Sequence, residues 1–109
     1  MAIALPFQEA EYQIDAAQPA NVEVIAAPGA GISIYVWQLY ISSNTQTRFA
    51  FNDGAGGDDV WEFNAAADGG QVLQASHMPL FTLPANTALD LSTDDSVTNG
   101  FVKVWYTLE

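Results

Sequence analysis

Ile32-Ser33-Ile34-Tyr35-Val36-Trp37-Gln38-Leu39-Tyr40-Ile41-Ser42-Ser43 is the stretch whose reading decides the fold. It carries no charge, no glycine and no proline, and it is rich in the β-branched and aromatic side chains that suit a pleated surface. Strict period-two alternation divides it into two faces, with Tyr35, Trp37, Leu39 and Ile41 on one and Ile34, Val36, Gln38 and Tyr40 on the other. A strand solvated on one side carries polar residues there, yet both faces here are apolar. The segment is therefore predicted to be a central strand of a sandwich, or a strand covered by a neighbouring subunit.

Working outward, turn chemistry and alternation recur on both sides, and no segment of eleven or more residues keeps the apolar spacing of an amphipathic helix. Upstream, Tyr12–Asp15 and Val22–Ala26 read as short strands, the second closed by Ala27-Pro28-Gly29. Downstream, Gln46–Asn52 places Thr47, Phe49 and Phe51 on one face, and Val60–Asn64 and Gln71–Gln74 flank the turn Asp68-Gly69-Gly70. Leu80–Leu83 and Ala88–Ser92 flank Pro84-Ala85-Asn86, with Leu89 and Leu91 expected in the core and Asp90 in solvent. Gly100–Leu108 sets Val102, Val104, Tyr106 and Leu108 against Phe101, Lys103, Trp105 and Thr107. The pattern predicts an all-β antiparallel sandwich or jelly roll of about eight strands. Residues 1–20 read as an N-terminal arm with a first short strand, and residues 21–109 as the sandwich domain.

The chain has 109 residues, enough for one hydrophobic core. Thirteen acidic residues against Arg48 and Lys103 give a net charge of −11, which repels polyanions, so neither nucleic acid nor an anionic membrane surface is an expected partner. Half of the residues are hydrophobic and only 14% are charged, a surplus of apolar surface that calls for an interface. There is no cysteine, hence no disulfide framework, thiolate metal site or thiol nucleophile. Met1–Phe7 is apolar but lacks a cationic region, and Pro6 and Glu9 interrupt it, so no signal peptide is expected. No apolar run is long enough for a membrane-spanning helix.

No catalytic motif is found. The only histidine, His77, lies beside Ser76, but no nucleophile motif surrounds it. Asp94 with Asp95, or Glu9 with Glu11, offers paired carboxylates of the kind glycoside hydrolysis needs, but all of them fall in turns or on polar faces where solvation accounts for them. The loop 52–59 groups Asp53, Asp58 and Asp59 as hard oxygen donors for calcium, without the EF-hand order or an iterated glycine-rich repeat. No phosphate-binding glycine loop is present, and no cofactor is expected. The aromatic set Tyr35, Trp37, Tyr40, Trp61, Trp105 and Tyr106 is core by default. Tyr40 and Trp105, however, oppose the inferred inner faces of their strands, which makes them anchors for a partner. With their face-mates, the expected oligomer or partner interface is Ile34, Val36, Tyr40, Phe101 and Trp105.

From residue 26 onward the order of features resembles the small β-sandwich virion proteins of tailed bacteriophages, the class that includes capsid decoration (cement) proteins. The resemblance runs through Ala27-Pro28-Gly29, the strand Ile32 to Ile41, Thr47-Arg48-Phe49-Ala50-Phe51 leading to Gly54, Asp68-Gly69-Gly70, Met78-Pro79-Leu80-Phe81, Leu89 with Leu91, and Gly100-Phe101-Val102-Lys103-Val104-Trp105-Tyr106. It implies a non-enzymatic structural protein made in the host cytoplasm and carried on the virion. Such a protein associates with copies of itself, often three, and binds the outer capsid surface through the major capsid protein or another virion protein. Competing expectations are a tail, head-fibre or receptor-binding element whose aromatics meet a host glycan, with Trp61 or Trp105 in contact, and a carbohydrate- or calcium-binding β-sandwich module.

Overall fold

The computed structural model describes residues 7–14, 22–54, 57–75, 77–93 and 99–109. These residues form strands β1 (Gln8–Ile14), β2 (Val22–Ile25), β3 (Ile34–Ser43), β4 (Thr47–Asp53), β5 (Asp59–Ala65), β6 (Gly69–Gln74), β7 (Phe81–Thr82), β8 (Leu89–Thr93) and β9 (Gly100–Leu108). Each expected strand is present. The first begins four residues earlier than alternation suggested, because Gln8 to Ile14 pairs along its whole length with β9. Residues 8–14 are thus built into the sandwich, while the rest of the expected arm, residues 1–6 and 15–20, lies outside the described residues apart from Phe7.

The ladders β1·β9, β2·β8, β3·β7 with β3·β6, and β4·β5 are those of one long antiparallel hairpin. Its tip lies between β4 and β5, where the backbone leaves β4 through a positive φ of 87° at Gly54, a conformation glycine adopts without steric cost. Winding the hairpin brings β3 against β9 and β4 against β8. The result is two packed sheets, β1-β9-β3-β6, with β7 pairing β3 beyond the end of β6, and β2-β8-β4-β5. This order is that of a jelly roll. Between the sheets, Ile14, Ile34, Val36, Leu39, Ile41, Val102 and Val104 of the first meet Phe49, Phe51, Leu89 and Leu91 of the second, all of them fully buried.

A register shift between Val36 and Gln38 decides how β3 is used. Val36 pairs with Tyr106 and Gln38 with Trp105, leaving Trp37 as the extra residue of a β-bulge. The inward set becomes Ile34, Val36, Leu39 and Ile41, all buried, so the two apolar faces read by strict alternation are one core face and one aromatic face. The expectation that Ile34 and Val36 face a partner is corrected accordingly: both are 0% exposed, inside the sandwich.

The outer face of the second sheet is small and acidic. Glu23, Asp90, Asn52 and Asp59 form one cross-strand row, and Arg48 pairs with Glu62 at 2.5 Å beside it. Asp90, expected in solvent, is only 4% exposed between Glu23 and Asn52. Burial, reinforced by the neighbouring charge of Glu23, pushes its carboxyl above the ordinary range.

Leu39→Ala, at the centre of β3, should cost about 3–4 kcal/mol in urea unfolding, whereas Val72→Ala at an exposed position should change stability by less than about 0.5 kcal/mol. Because the fold favours protonated Asp90, its stabilising contribution is complete below the ordinary carboxylate pKa and is lost as pH rises through the raised value. Asp90→Asn should therefore raise the melting temperature by about 2–4 °C at pH 7, and scanning calorimetry should show that gain vanishing below about pH 4.

Candidate functional site

The outer face of the first sheet is aromatic where the second is acidic. Alternation along β9 directs Phe101, Lys103, Trp105 and Thr107 to this face, and the bulge in β3 brings Trp37 and Gln38 to it together. Phe7, 50% exposed, stands edge-on to Trp37 with ring centroids 6.2 Å apart. Trp37 is anchored from below: its Nε1–H donates to Thr107 Oγ1 at 2.9 Å, and the Thr107 hydroxyl donates in turn to Glu109 Oε2 at 3.0 Å. Phe7, Trp37 and Trp105, with Gln38, Gln74 and Ala75, line a socket of about 230 Å³. A partner's apolar side chain entering it would meet aromatic surface with amides beside it.

Mid-face, Lys103 lies opposite Tyr40 on β3 and Glu11 on β1. Its ammonium contacts Glu9 at 2.7 Å and Glu11 at 3.4 Å and sits 5.1 Å from the centre of the Trp105 ring. The hydrogen bond with Glu9, aided by Glu11, raises the Lys103 pKa and keeps the charge fixed. Glu9 and Glu11 are accordingly partners of one lysine rather than a catalytic carboxylate pair.

At the far end of the face, Tyr40 and Phe101 tilt toward each other at 52° with centroids 6.1 Å apart. With Gln13, Ser42, Asn44, Asp68, Gly70 and Asn99 they line an open trough of about 500 Å³. Gly70 makes room for the tyrosine, since a Cβ at this position would lie 3.0 Å from Tyr40 Oη. Asn44 and Asn99 clasp each other across the rim, Asn44 N–H donating to Asn99 O at 2.9 Å and Asn99 N–H to Asn44 Oδ1 at 3.3 Å.

Of the residues expected at an interface, Tyr40, Phe101 and Trp105 come together on this half-buried face, and Ile34 and Val36 do not. Sequence reading missed Phe7, grouped with the arm, and left Trp37, named in the aromatic set, on the same side as Leu39, which the bulge overturns. Gly70 had registered only as a turn residue. Trp61, partly buried, packs against the core: it stacks on Phe81 at 5.8 Å, and its indole N–H is enclosed without an acceptor among the described residues. In the acidic loop, Asp59 is engaged by Asn52 and by Arg48 at 3.7 Å, and Asp53 N–H donates to Asp58 O at 3.1 Å. Among the described residues no three His, Cys, Asp or Glu side chains converge as metal ligands. His77 is exposed, while Ser76, Asp94 and Asp95 lie outside the described residues.

No protein-family model matches the chain, and no characterised protein matches it in sequence. Among solved structures it is similar to a chain of the cyanophage Pam1 capsid asymmetric unit, with 13% identity, coverage of 97% of this chain and 92% of that one, and a TM-score of 0.49. It is also similar to the virus-like particle of the extra small virus of the giant freshwater prawn Macrobrachium rosenbergii, with 9% identity, 99% and 82% coverage and a TM-score of 0.46. A third similarity is to the C-terminal domain of the sugar-binding protein EclA, with 11% identity, 100% and 82% coverage and a TM-score of 0.43. Likenesses at this level assign no function to the chain.

Proposed function

We propose that this protein is a non-enzymatic structural component of a virion, a capsid decoration protein that self-associates as a trimer and binds the outer surface of a phage head. The observation that carries this reading is the Phe7–Trp37–Trp105 socket on the aromatic sheet face. Interface centres are enriched in such rings and depleted of charge, and the few residues that dominate binding sit in pockets of this kind. A soluble domain of net charge −11 that leaves Phe7 half exposed above two tryptophans has a contact surface rather than a solvated one.

Three further features support the reading. The jelly-roll strand order is one that capsid proteins use, though lectins use it too, so the fold is compatible without choosing between them. The Lys103–Glu9–Glu11 cluster beside the socket gives it a fixed polar rim. Net negative charge supplies colloidal repulsion to a protein displayed in many copies, so association is confined to the one face whose apolar area outweighs that repulsion. On this reading copies meet through the socket end of the face, the major capsid protein is the partner beneath them, and the protein is made in the host cytoplasm before joining the virion.

Light scattering over a wide concentration range should give a constant trimer mass. Phe7→Ser and Trp105→Ala should weaken self-association by roughly thirtyfold, as truncating an interface anchor does. A monomer at every concentration would overturn the self-association, and failure of the trimer to bind undecorated heads would overturn the decoration role.

A further inference from the structure

The trough at the Tyr40 end of the aromatic face is used by neither the core nor the proposed contact socket. We infer that it is a binding site for a neutral pyranose of a glycan, with Tyr40 as the stacking platform. The inference is independent of the assembly reading. Phe101 and Trp105 are four residues apart on β9, which separates the two ends by about 13 Å of strand.

Gly70 is what makes Tyr40 a platform. It lies two residues along β6 from Val72, the partner of Tyr40, and its missing side chain is what the tyrosine occupies. A Cβ there would come within 3.4 Å of two ring carbons as well as 3.0 Å of the hydroxyl. The ring therefore rests across the glycine on one side and lines the trough with its remaining surface. Phe101, tilted by 52°, makes a second wall instead of covering the first ring. Two inclined aromatic walls suit the C–H faces of a sugar ring, because the negative face of each ring attracts polarised C–H groups while apolar area is buried.

A glycan also requires directional polar groups that are already in place. The mutual clasp of Asn44 and Asn99 holds one side of the trough rigid, and Asp68, held at a positive φ of 55°, stands on the turn that closes the other. Amide and carboxylate groups beside an aromatic platform match the alternating hydroxyls of a saccharide, and a rim fixed by its own hydrogen bonds lowers the ordering cost of binding. No Lys or Arg lines the trough, and Asp68 adds negative charge. Sialic acids, uronic acids and phosphorylated sugars are therefore excluded from the ligand class, leaving neutral hexoses and N-acetylhexosamines.

The test uses the full chain and simple probes: methyl glycosides of glucose, galactose, mannose, N-acetylglucosamine and sialic acid, followed by saturation-transfer NMR and by titration of amide resonances. At least one neutral glycoside should receive saturation, with shifts at Gly70, Asn99 and Phe101 and none at Gln38 or Gln74. Affinity should fall roughly tenfold in Tyr40→Ala, survive in Tyr40→Phe, and be unchanged in Trp105→Ala. Because the amide shifts come from the unaltered protein, the outcome does not depend on any variant folding. Absence of transfer to every neutral glycoside, shifts centred on the socket, or a preference for the sialoside would each overturn the inference. Self-association that persists alongside such a failure would leave the assembly reading standing, and the converse would leave the glycan site standing.

Discussion

The antiparallel ladder between β3 and β9, with its bulge at Trp37, is the constraint on which the molecule depends. It runs from Ile34↔Leu108 to Ser43↔Gly100 and joins the two arms of the long hairpin into a closed roll. Without the bulge, continued alternation would turn Leu39 and Ile41 outward. With it, Ile34, Val36, Leu39 and Ile41 all reach the core, and Trp37, Gln38 and Tyr40 are left for the outer face. One inserted residue thus completes the interior and assembles the aromatic surface.

The two outer faces divide the chemistry between them. The second sheet carries Glu23, Asp90 and Asp59 in one row, with Arg48 engaged by Glu62. The first carries the rings, with Lys103 engaged by Glu9 and Glu11. Each of the chain's two cations is thus spent on organising carboxylates of its own sheet. A partner approaching the second sheet meets buried and repelling acids, while one approaching the first meets apolar area bounded by neutralised charge, and this asymmetry orients the domain in any assembly.

Much of this fold was legible in the sequence because turn residues and β-branched runs mark strands locally. Asp68-Gly69 and Pro84-Ala85-Asn86 located turns that the backbone realises, with Asp68 and Asn86 both at positive φ. Strand pairing was not legible, since alternation specifies faces and not neighbours. The bulge was invisible for a related reason: an extra residue shows only against a partner's register, and reading β3 without β9 assigned Ile34 and Val36 to the wrong side. Asp90 was misplaced because its charge predicts solvent while its position, between two strands of a packed sheet, denies it. Tyr40, Phe101 and Trp105 were found because aromatics opposite an inner face are conspicuous. Phe7 and Gly70 were not, since the significance of each comes from a ring it meets only in three dimensions.

The winding of the hairpin also governs when the protein can exist. β1 pairs only with β9 among the described strands, and the side chains of Gln8 and Tyr106 hydrogen-bond at 3.2 Å across nearly the whole chain. Contacts this distant in sequence form slowly, because their loop-closure entropy is lost before any packing is gained. During synthesis, β1 to β8 emerge from the ribosome with the central position of the first sheet still empty, and residues 100–108 must clear the exit tunnel before the roll can close. Until then the edges of β1 and β3 that β9 covers stay unpaired, so the first sheet closes last, around the strand that is made last among those described.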